Sequence, residues 1–75
     1  MITTKISIDT VEKVKEFSSI TTKENIDGEL VQGIHIVDAK SVMGFFSLDL
    51  SRPVTLNIHS DDKTILDKIS KFIVG

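Results

Sequence analysis

Cysteine is absent from this chain of 75 residues, and no apolar run approaches the ~20 residues that a membrane-spanning helix requires. The lack of cysteine excludes disulfide bonds and thiolate chemistry, so packing alone must stabilise the fold. The first residues show neither a basic head before a long apolar segment nor a small-residue cleavage pattern. We therefore expect a cytoplasmic protein without a signal peptide, which does not act at a membrane.

Positive charge is also scarce, because nine basic residues against eleven acidic ones leave a net charge of −2. The basic residues are dispersed, so they form no concentrated patch of the kind that nucleic-acid binding requires. The composition, with 40% hydrophobic and 27% charged residues, is that of a globular domain. The sequence predicts one domain over residues 1–75 that does not bind nucleic acid.

Catalytic and cofactor motifs are missing as well. The chain has no glycine-rich phosphate loop, no Gly-x-Ser-x-Gly elbow and no zinc-helix motif. We interpret His35 and His59 as ordinary strand residues, because no cysteine or clustered carboxylate set accompanies them. Asp61 and Asp62 are interpreted as helix caps rather than cation ligands. We expect no metal, no cofactor and no enzyme activity.

What the chain does contain is a regular succession of strand and helix patterns. Residues 3–8 alternate polar and apolar side chains and predict a half-buried strand. A helix should follow at once, capped by Asp9 or Thr10, with Glu12 placed three residues beyond Asp9 as in a capping box. We expect this helix to end within residues 18–22, because serine and threonine side chains compete for backbone hydrogen bonds.

The middle of the chain predicts a hairpin and a short helix. Residues 29–37 indicate two strands that turn near Gln32 and Gly33, and residues 41–46 indicate a short helix. Some apolar side chains of the hairpin must face outward if others on the same strands point inward. The outward candidates are Val31, Ile34 and Ile36, against the inward Leu30, Val37 and Val54. A homodimer through the sheet face could cover them, or a bulge at Gly33 could rotate some inward.

The last third predicts a strand and a closing helix. Pro53 opens a fourth strand over residues 54–58, and Asp61 or Asp62 can cap the helix that follows. The helix should carry an apolar stripe made of Ile65 or Leu66, Ile69, Phe72 and Ile73. This order of elements fits both a ferredoxin-like split sheet and an open-faced sandwich, and periodicity does not separate the two.

Residues 39–48, which read AKSVMGFFSL, carry the one specific signature in the chain. They resemble the segment around the regulatory serine of HPr, the phosphocarrier of the bacterial sugar phosphotransferase system, and the match is strongest over residues 40–44. The order of elements, the hairpin and the closing helix are similar to HPr over nearly the whole chain. The resemblance implies an α+β fold, an HPr-like open-faced sandwich with helices on one face of a four-stranded antiparallel sheet.

The sequence departs from the HPr pattern at the start of the first helix. The family carries a glycine, a histidine, an arginine and a proline there, whereas this chain has Asp9, Thr10, Val11 and Glu12. A phosphohistidine is stabilised by free backbone amides and a nearby guanidinium, and Glu12 would repel phosphate. The chain therefore resembles a degenerate HPr that lacks the active-site histidine, and we expect no phosphoryl relay through this helix.

Ser41 lies where the short helix begins, so its hydroxyl can cap the amide of Met43 or Gly44. The resemblance adds a second role, because it implies that Ser41 is a regulatory phosphorylation site. It also implies that Val42, Met43 and Phe46 form a docking patch for an HPr kinase or for a transcriptional or transport regulator. The buried complement of this patch is expected to be Phe45, Leu48 and Leu50.

Two alternatives to this regulatory, protein-binding module remain. A phosphocarrier could use another acceptor, either His59 or Thr10, although two adjacent acids follow His59 closely. The chain could instead be a self-associating binding module whose partners are unrelated to sugar transport. Phosphate transfer from phosphoenolpyruvate would favour the first alternative, and sedimentation would test the second.

Overall fold

The computed structural model describes residues 1–74, which form a four-stranded sheet, helices and one 3-10 turn in the predicted order. The elements are β1 (Ile2–Ile6), α1 (Val11–Lys23), β2 (Gly28–Gln32), β3 (His35–Asp38), α2 (Val42–Phe45), β4 (Val54–Ile58), α3 (Thr64–Lys68) and the 3-10 turn Ser70–Phe72.

The sheet has the strand order β1-β4-β2-β3, and every neighbouring pair is antiparallel. Leu30 of β2 lies opposite Leu56 of β4, and both side chains are fully buried on the face that carries the helices. On the other face, residues such as Lys5 and Ile36 stay exposed. The predicted open-faced sandwich is therefore confirmed, because one face of the sheet is covered and the other is open.

β1 is displaced from the strand predicted over residues 3–8. It begins at Ile2 and ends at Ile6, which pairs with Val54, the first residue of β4. Because β4 offers no partner beyond that point, the Ser7 amide donates instead to the Phe72 carbonyl at 2.8 Å. The prediction was wrong about the last two strand residues, although Ile8 is still buried.

Thr10, one of the two predicted caps, begins α1. Its Oγ1 accepts a hydrogen bond from the Lys13 amide at 3.1 Å. The Asp9 carboxylate instead contacts the Lys13 Nζ at 3.0 Å, so the capping box expected from Asp9 and Glu12 does not form. α1 also runs to Lys23, beyond the predicted end at residues 18–22.

The hairpin turns at Gly33, which has a φ of 60°, as predicted. β2 and β3 pair without interruption from Glu29 opposite Asp38 to Gln32 opposite His35, so the bulge considered at Gly33 does not form. The outward-facing set predicted from the sequence is confirmed. It consists of Ile34, which is 92% exposed, Ile36, which is 64% exposed, and the half-buried Val31.

Phe17 of α1 lies at the centre of the core. Its ring centroid is 5.9 Å from that of Phe45 in α2 and 5.3 Å from that of Phe72, the latter pair in an edge-to-face arrangement. Phe45 and Leu48 are buried as predicted, whereas Leu50 is only half-buried against the core. These rings tie α1, α2 and the C-terminal segment together.

The closing helix predicted as one element is broken. α3 ends at Lys68, and Ile69 takes a φ of −115° before the 3-10 turn, whose first hydrogen bond runs from the Phe72 amide to the Ile69 carbonyl. Ile73 is extended and forms a bridge with Ile6 of β1. The stripe prediction still places Ile69 and Phe72 correctly in the core. Pairing with β1 takes the place of the last helical turn.

The two acids before α3 have different partners. The N-cap position of α3 is Lys63, which makes no side-chain cap bond, so the prediction that Asp61 or Asp62 caps this helix was wrong. The Asp62 Oδ1 nevertheless accepts from the Thr64 amide at 3.0 Å, one residue outside the cap. The Asp61 Oδ1 accepts instead from the N-terminal amine of Met1 at 2.8 Å. Of these two acids, only Asp62 contacts the backbone at the start of α3.

Candidate interaction surface around the second helix

Ser41 is the N-cap of α2, as predicted. Its backbone is extended, with φ −97° and ψ 104°, and its Oγ accepts a hydrogen bond from the Gly44 amide at 3.1 Å. The Ser41 carbonyl accepts from the Phe45 amide at 3.1 Å, which closes the first turn. The residue is half-buried. The hydroxyl therefore stabilises the helix start while part of the side chain stays accessible to solvent.

Two hydroxyl groups of α1 hold the chain just before Ser41. The Thr21 Oγ1 donates to the Ala39 carbonyl at 2.8 Å, and the Ser18 Oγ donates to the Lys40 carbonyl at 3.0 Å. Both hydroxyl residues are buried. The sequence pattern favours a helix end at these residues and does not by itself predict this role. A signal is nevertheless present, because residues 18 and 21 lie three apart and therefore share one helix face with Phe17 nearby.

Gly44 allows α2 to approach β3 closely. A Cβ atom on this residue would lie 3.0 Å from the Val37 Cβ and 3.3 Å from the Ser41 Oγ. Contacts this short are tighter than most real Cβ contacts, so the side chain of Val37 or Ser41 would have to give way by a few tenths of an ångström. The glycine in the HPr-like segment thus has a packing reason here, which is the fit of α2 against β3.

The apolar residues of α2 divide between the core and the surface. Phe45 is fully buried and Val42 is half-buried against the core, whereas Met43 is 84% exposed and Phe46 is 56% exposed. The expectation that Met43 and Phe46 share an exposed face, with Phe45 on another, is confirmed. We call Ser41, Val42, Met43 and Phe46 the α2 surface. It places two large apolar side chains in solvent next to the capping hydroxyl.

The loop after α2 is fastened to the end of β2. The Gln32 side chain donates from Nε2 to the Asp49 carbonyl at 2.9 Å and accepts from the Asp49 amide at 2.6 Å. The Asp49 carboxylate accepts from the Ser51 hydroxyl at 2.6 Å, and this bond holds the pKa of Asp49 below its ordinary value. The α2 surface is therefore held in place from both ends.

The start of α1 presents a different chemistry. The Thr10 hydroxyl caps the Lys13 amide, and Lys13 also pairs with Asp9, which lowers the pKa of that carboxyl by hydrogen bonding and charge. Val11 is 54% exposed and Glu12 lies in the first turn. Within residues 7–13 the sequence has no histidine and no arginine. The first turn thus offers a hydroxyl, an ion pair and an acid.

The two alternative phosphate acceptors lie in separate elements. Thr10 Oγ1 already accepts the capping bond of α1. His59 follows β4, where its Nε2 lies 2.9 Å from the Glu29 Oε1 and its amide donates to the Asp27 carbonyl. The second histidine, His35, is exposed at the first residue of β3. These positions bring neither candidate together with an arginine in any hydrogen bond or ion pair within residues 1–74.

The described residues also limit other kinds of site. No group of three or more histidine, aspartate or glutamate side chains within residues 1–74 is arranged to hold a metal ion. In the same part of the chain no pocket is found, and no helix is long and apolar enough to cross a membrane. The candidate site is consequently a surface rather than a cavity.

The fold is that of a solved HPr structure. The chain superimposes on "HPr-C-His" from Thermoanaerobacter tengcongensis with a TM-score of 0.76, over 95% of this chain and 89% of that one, at 23% sequence identity. At this identity the likeness establishes the HPr-like fold and no more. No model of a known protein family matches the chain, and no curated protein matches it.

Proposed function

We propose that this chain is an HPr-like regulatory module that binds other proteins through the α2 surface and does not transfer phosphate through a histidine. The observation that carries the proposal is the pairing of Ser41 with two exposed apolar side chains, Met43 and Phe46, on a helix whose remaining aromatic ring is buried. Exposed methionine and phenylalanine side chains are typical of surfaces that bind proteins.

The energy available at this surface is adequate for recognition. Covering a Met or Phe side chain completely contributes about 1.5–3 kcal/mol, so Met43 and Phe46 together can provide a small hot spot. The surface is also pre-organised, because α2 is held by the hydroxyl groups of Ser18 and Thr21 and by the side chain of Gln32. A partner would therefore lose little binding energy to ordering the helix.

Modification of Ser41 would regulate the same surface. A phosphate adds about −1.5 to −2 charge and three acceptor oxygens. The Ser41 oxygen already accepts from the Gly44 amide, so a phosphoryl oxygen could take over this bond without rearranging α2. The new charge would lie beside Met43 and Val42, where it would disfavour an apolar partner and favour a basic one. We therefore infer that Ser41 is a phosphorylation site and that an HPr kinase or a transcriptional or transport regulator is the partner.

The test is phosphorylation by a purified HPr kinase with ATP, followed by intact-mass and peptide mass analysis. We expect one phosphate on the wild type and none on Ser41→Ala. Ser47→Ala is the matched control, because Ser47 lies at the other end of α2 and donates to the Gly44 carbonyl. It should be modified like the wild type. A phosphate on another residue, or an unmodified wild type, would contradict the regulatory part of the proposal.

We assign no phosphate relay to Thr10 or His59. A phosphate on His59 would lie next to the Glu29 carboxylate, and one on Thr10 would disturb the cap of α1 near Glu12. Like charges at these distances oppose the transfer. Incubation with phosphoenolpyruvate and the first enzyme of the phosphotransferase system should therefore leave no acid-labile label on the chain. Label on His59 would restore the phosphocarrier interpretation.

A further inference from the structure

The two edges of the sheet are closed to different extents. Along β1, the Val74 amide donates to the Lys5 carbonyl at 2.9 Å, and Ile73 forms a bridge with Ile6. The C-terminal segment thus covers part of that edge. β3 forms the other edge and pairs with β2 alone, and no other strand or terminal segment within residues 1–74 pairs with it.

The register of the hairpin determines which backbone groups point out of the β3 edge. Two residues separate β2 from β3, so Gln32 and His35 face each other beside the turn. The pair next to a two-residue turn exchanges both backbone hydrogen bonds, and the pairs alternate from there. Ile36 therefore belongs to a pair that exchanges none, and its N–H and C=O point away from β2.

Natural edge strands are blocked by shortness, by charged side chains, especially lysine, or by proline, bulges or a covering segment. β3 is short and ends in the charged Asp38, but among the described residues it has none of the other devices. β3 reads His-Ile-Val-Asp, pairs with β2 without a bulge, and exposes Ile36 on the open face of the sheet. The preceding turn residue, Ile34, is almost fully exposed. An exposed apolar edge of this kind favours the addition of another strand.

We propose that a second copy of this chain pairs with the β3 edge, antiparallel and centred on Ile36. Two-fold symmetry then supplies the Ile36 N–H of each copy with the Ile36 carbonyl of the other, so one interface satisfies both groups. The apolar row formed by Val31 and Ile36 continues into the same two residues of the second copy. Asp38 lies opposite the second copy's Ile34, so no like charges oppose each other.

The contact between α2 and β3 favours this register over its neighbour. α2 packs on Val37 through Gly44. Pairing centred on Ile36 offsets the two Val37 residues by two positions along the strands, which places them about 8 Å apart. Helices pack at interaxial distances of about 8–10 Å. Pairing centred on Val37 would place the two Val37 residues only one strand spacing, about 5 Å, apart and would crowd the α2 helices that pack on them.

The expected association is weak. Stable interfaces bury about 800 Å² on each partner, and a four-residue edge with its neighbouring side chains covers much less. Pairing should therefore be detected only at high concentration. The pairing does not depend on the proposed function, because it uses the β3 backbone and Ile36, although the register places the two α2 helices side by side.

Sedimentation equilibrium over a series of concentrations into the millimolar range tests the pairing. We expect the weight-average mass of the wild type to rise from 8.3 kDa towards twice that value. Ile36→Lys should weaken association at least tenfold, because it places a charge beside its symmetry mate in the interface. Val11→Lys replaces an apolar residue of similar exposure on α1 and should associate like the wild type.

Amide hydrogen exchange gives a second measurement that does not depend on any variant. In the wild type, protection of the Ile36 amide should increase with concentration, whereas the amides of α1 should not change. A wild type that stays monomeric at millimolar concentration would overturn the pairing. So would an association that Phe46→Glu abolishes and Ile36→Lys leaves intact, since this would place the contact on the α2 surface.

Discussion

The first and second helices of this chain begin with the same device and differ in what surrounds it. Thr10 and Ser41 each accept a hydrogen bond from the amide three residues later, and both bonds are 3.1 Å long. Around Thr10 lie an Asp9–Lys13 ion pair and an acidic first turn. Around Ser41 lie exposed apolar side chains. A hydroxyl cap alone therefore does not define a site, and the neighbouring residues decide what the helix start can bind.

Thr21→Val should cause the largest loss in the free energy of unfolding, because it removes one of the hydrogen bonds that position the start of α2. Valine keeps the shape of threonine but leaves the Ala39 carbonyl without its 2.8 Å donor in the core. We expect a loss of about 1–3 kcal/mol in the free energy of unfolding, measured with urea. Thr22→Val is the matched control on the exposed side of α1 and should change stability by less than about 0.5 kcal/mol. Equal losses would contradict the positioning role.

Gly44→Ala should have a similar or somewhat smaller effect. The new methyl group would meet the Val37 Cβ at 3.0 Å, which we expect to cost about 1–2 kcal/mol, partly offset by the better helix propensity of alanine. The contact predicts a compensating partner. Adding Val37→Gly, which removes the contacted Cβ atom, should recover part of the loss, so the double variant should be more stable than the sum of the single changes predicts. Simple additivity would show that the close approach is not the cause.

Removing the two caps should separate stability from binding. Ser41→Ala and Thr10→Ala should each lower the free energy of unfolding by about 1 kcal/mol, because each leaves one helix amide unpaired. The two variants should then differ in the kinase reaction. Thr10→Ala should be phosphorylated like the wild type in the mass assay, and Ser41→Ala should not. Loss of phosphorylation in both variants would mean that general stability, rather than the α2 surface, controls the reaction.

The smallest expected change in the free energy of unfolding comes from the Asp9–Lys13 ion pair at the start of α1, and it depends on pH. Lys13 lowers the pKa of Asp9 from its ordinary value of 3.8, so the folded state stabilises the ionised carboxylate more than the unfolded state does. Its stabilisation is therefore present above pH 4 and lost as pH falls through the lowered pKa. Asp9→Asn should be slightly less stable than the wild type at pH 7 and equal to it near pH 2, as measured by urea unfolding. A stability difference that persists at pH 2 would assign the effect to packing or capping instead.

The sequence predicted the parts of the fold that depend on local patterns. Alternation and turn residues predicted the hairpin at Gly33 and the strand after Pro53, and the AKSVMGFFSL segment predicted the HPr-like sandwich. The break at Ile69 was not predictable in this way. It arises because Ile73 pairs with β1, a contact between residues nearly seventy positions apart. Helical periodicity in a single segment carries no information about such a partner.

The candidate site likewise combines features that the local sequence predicts with features that depend on residues distant in sequence. Ser41 as a cap and the exposure of Met43 and Phe46 follow from spacing within one short helix. The hydrogen bonds from Ser18 and Thr21 to the chain before Ser41 were not predicted, because the local tendency of hydroxyl residues to end helices points the other way and their partners are distant in sequence. Gln32 was missed for a related reason, since its partner is the backbone of Asp49.

The most direct test of the α2 surface is calorimetric titration of the chain with an HPr kinase in the absence of ATP. Phe46→Glu and Met43→Glu should each weaken binding at least tenfold, because a charge replaces an apolar contact. Val11→Glu changes an apolar residue at the start of α1 whose exposure is close to that of Phe46, and it should bind like the wild type. If Val11→Glu weakens binding while the two α2 variants retain wild-type affinity, the partner docks at the first helix and the α2 surface is not the binding site.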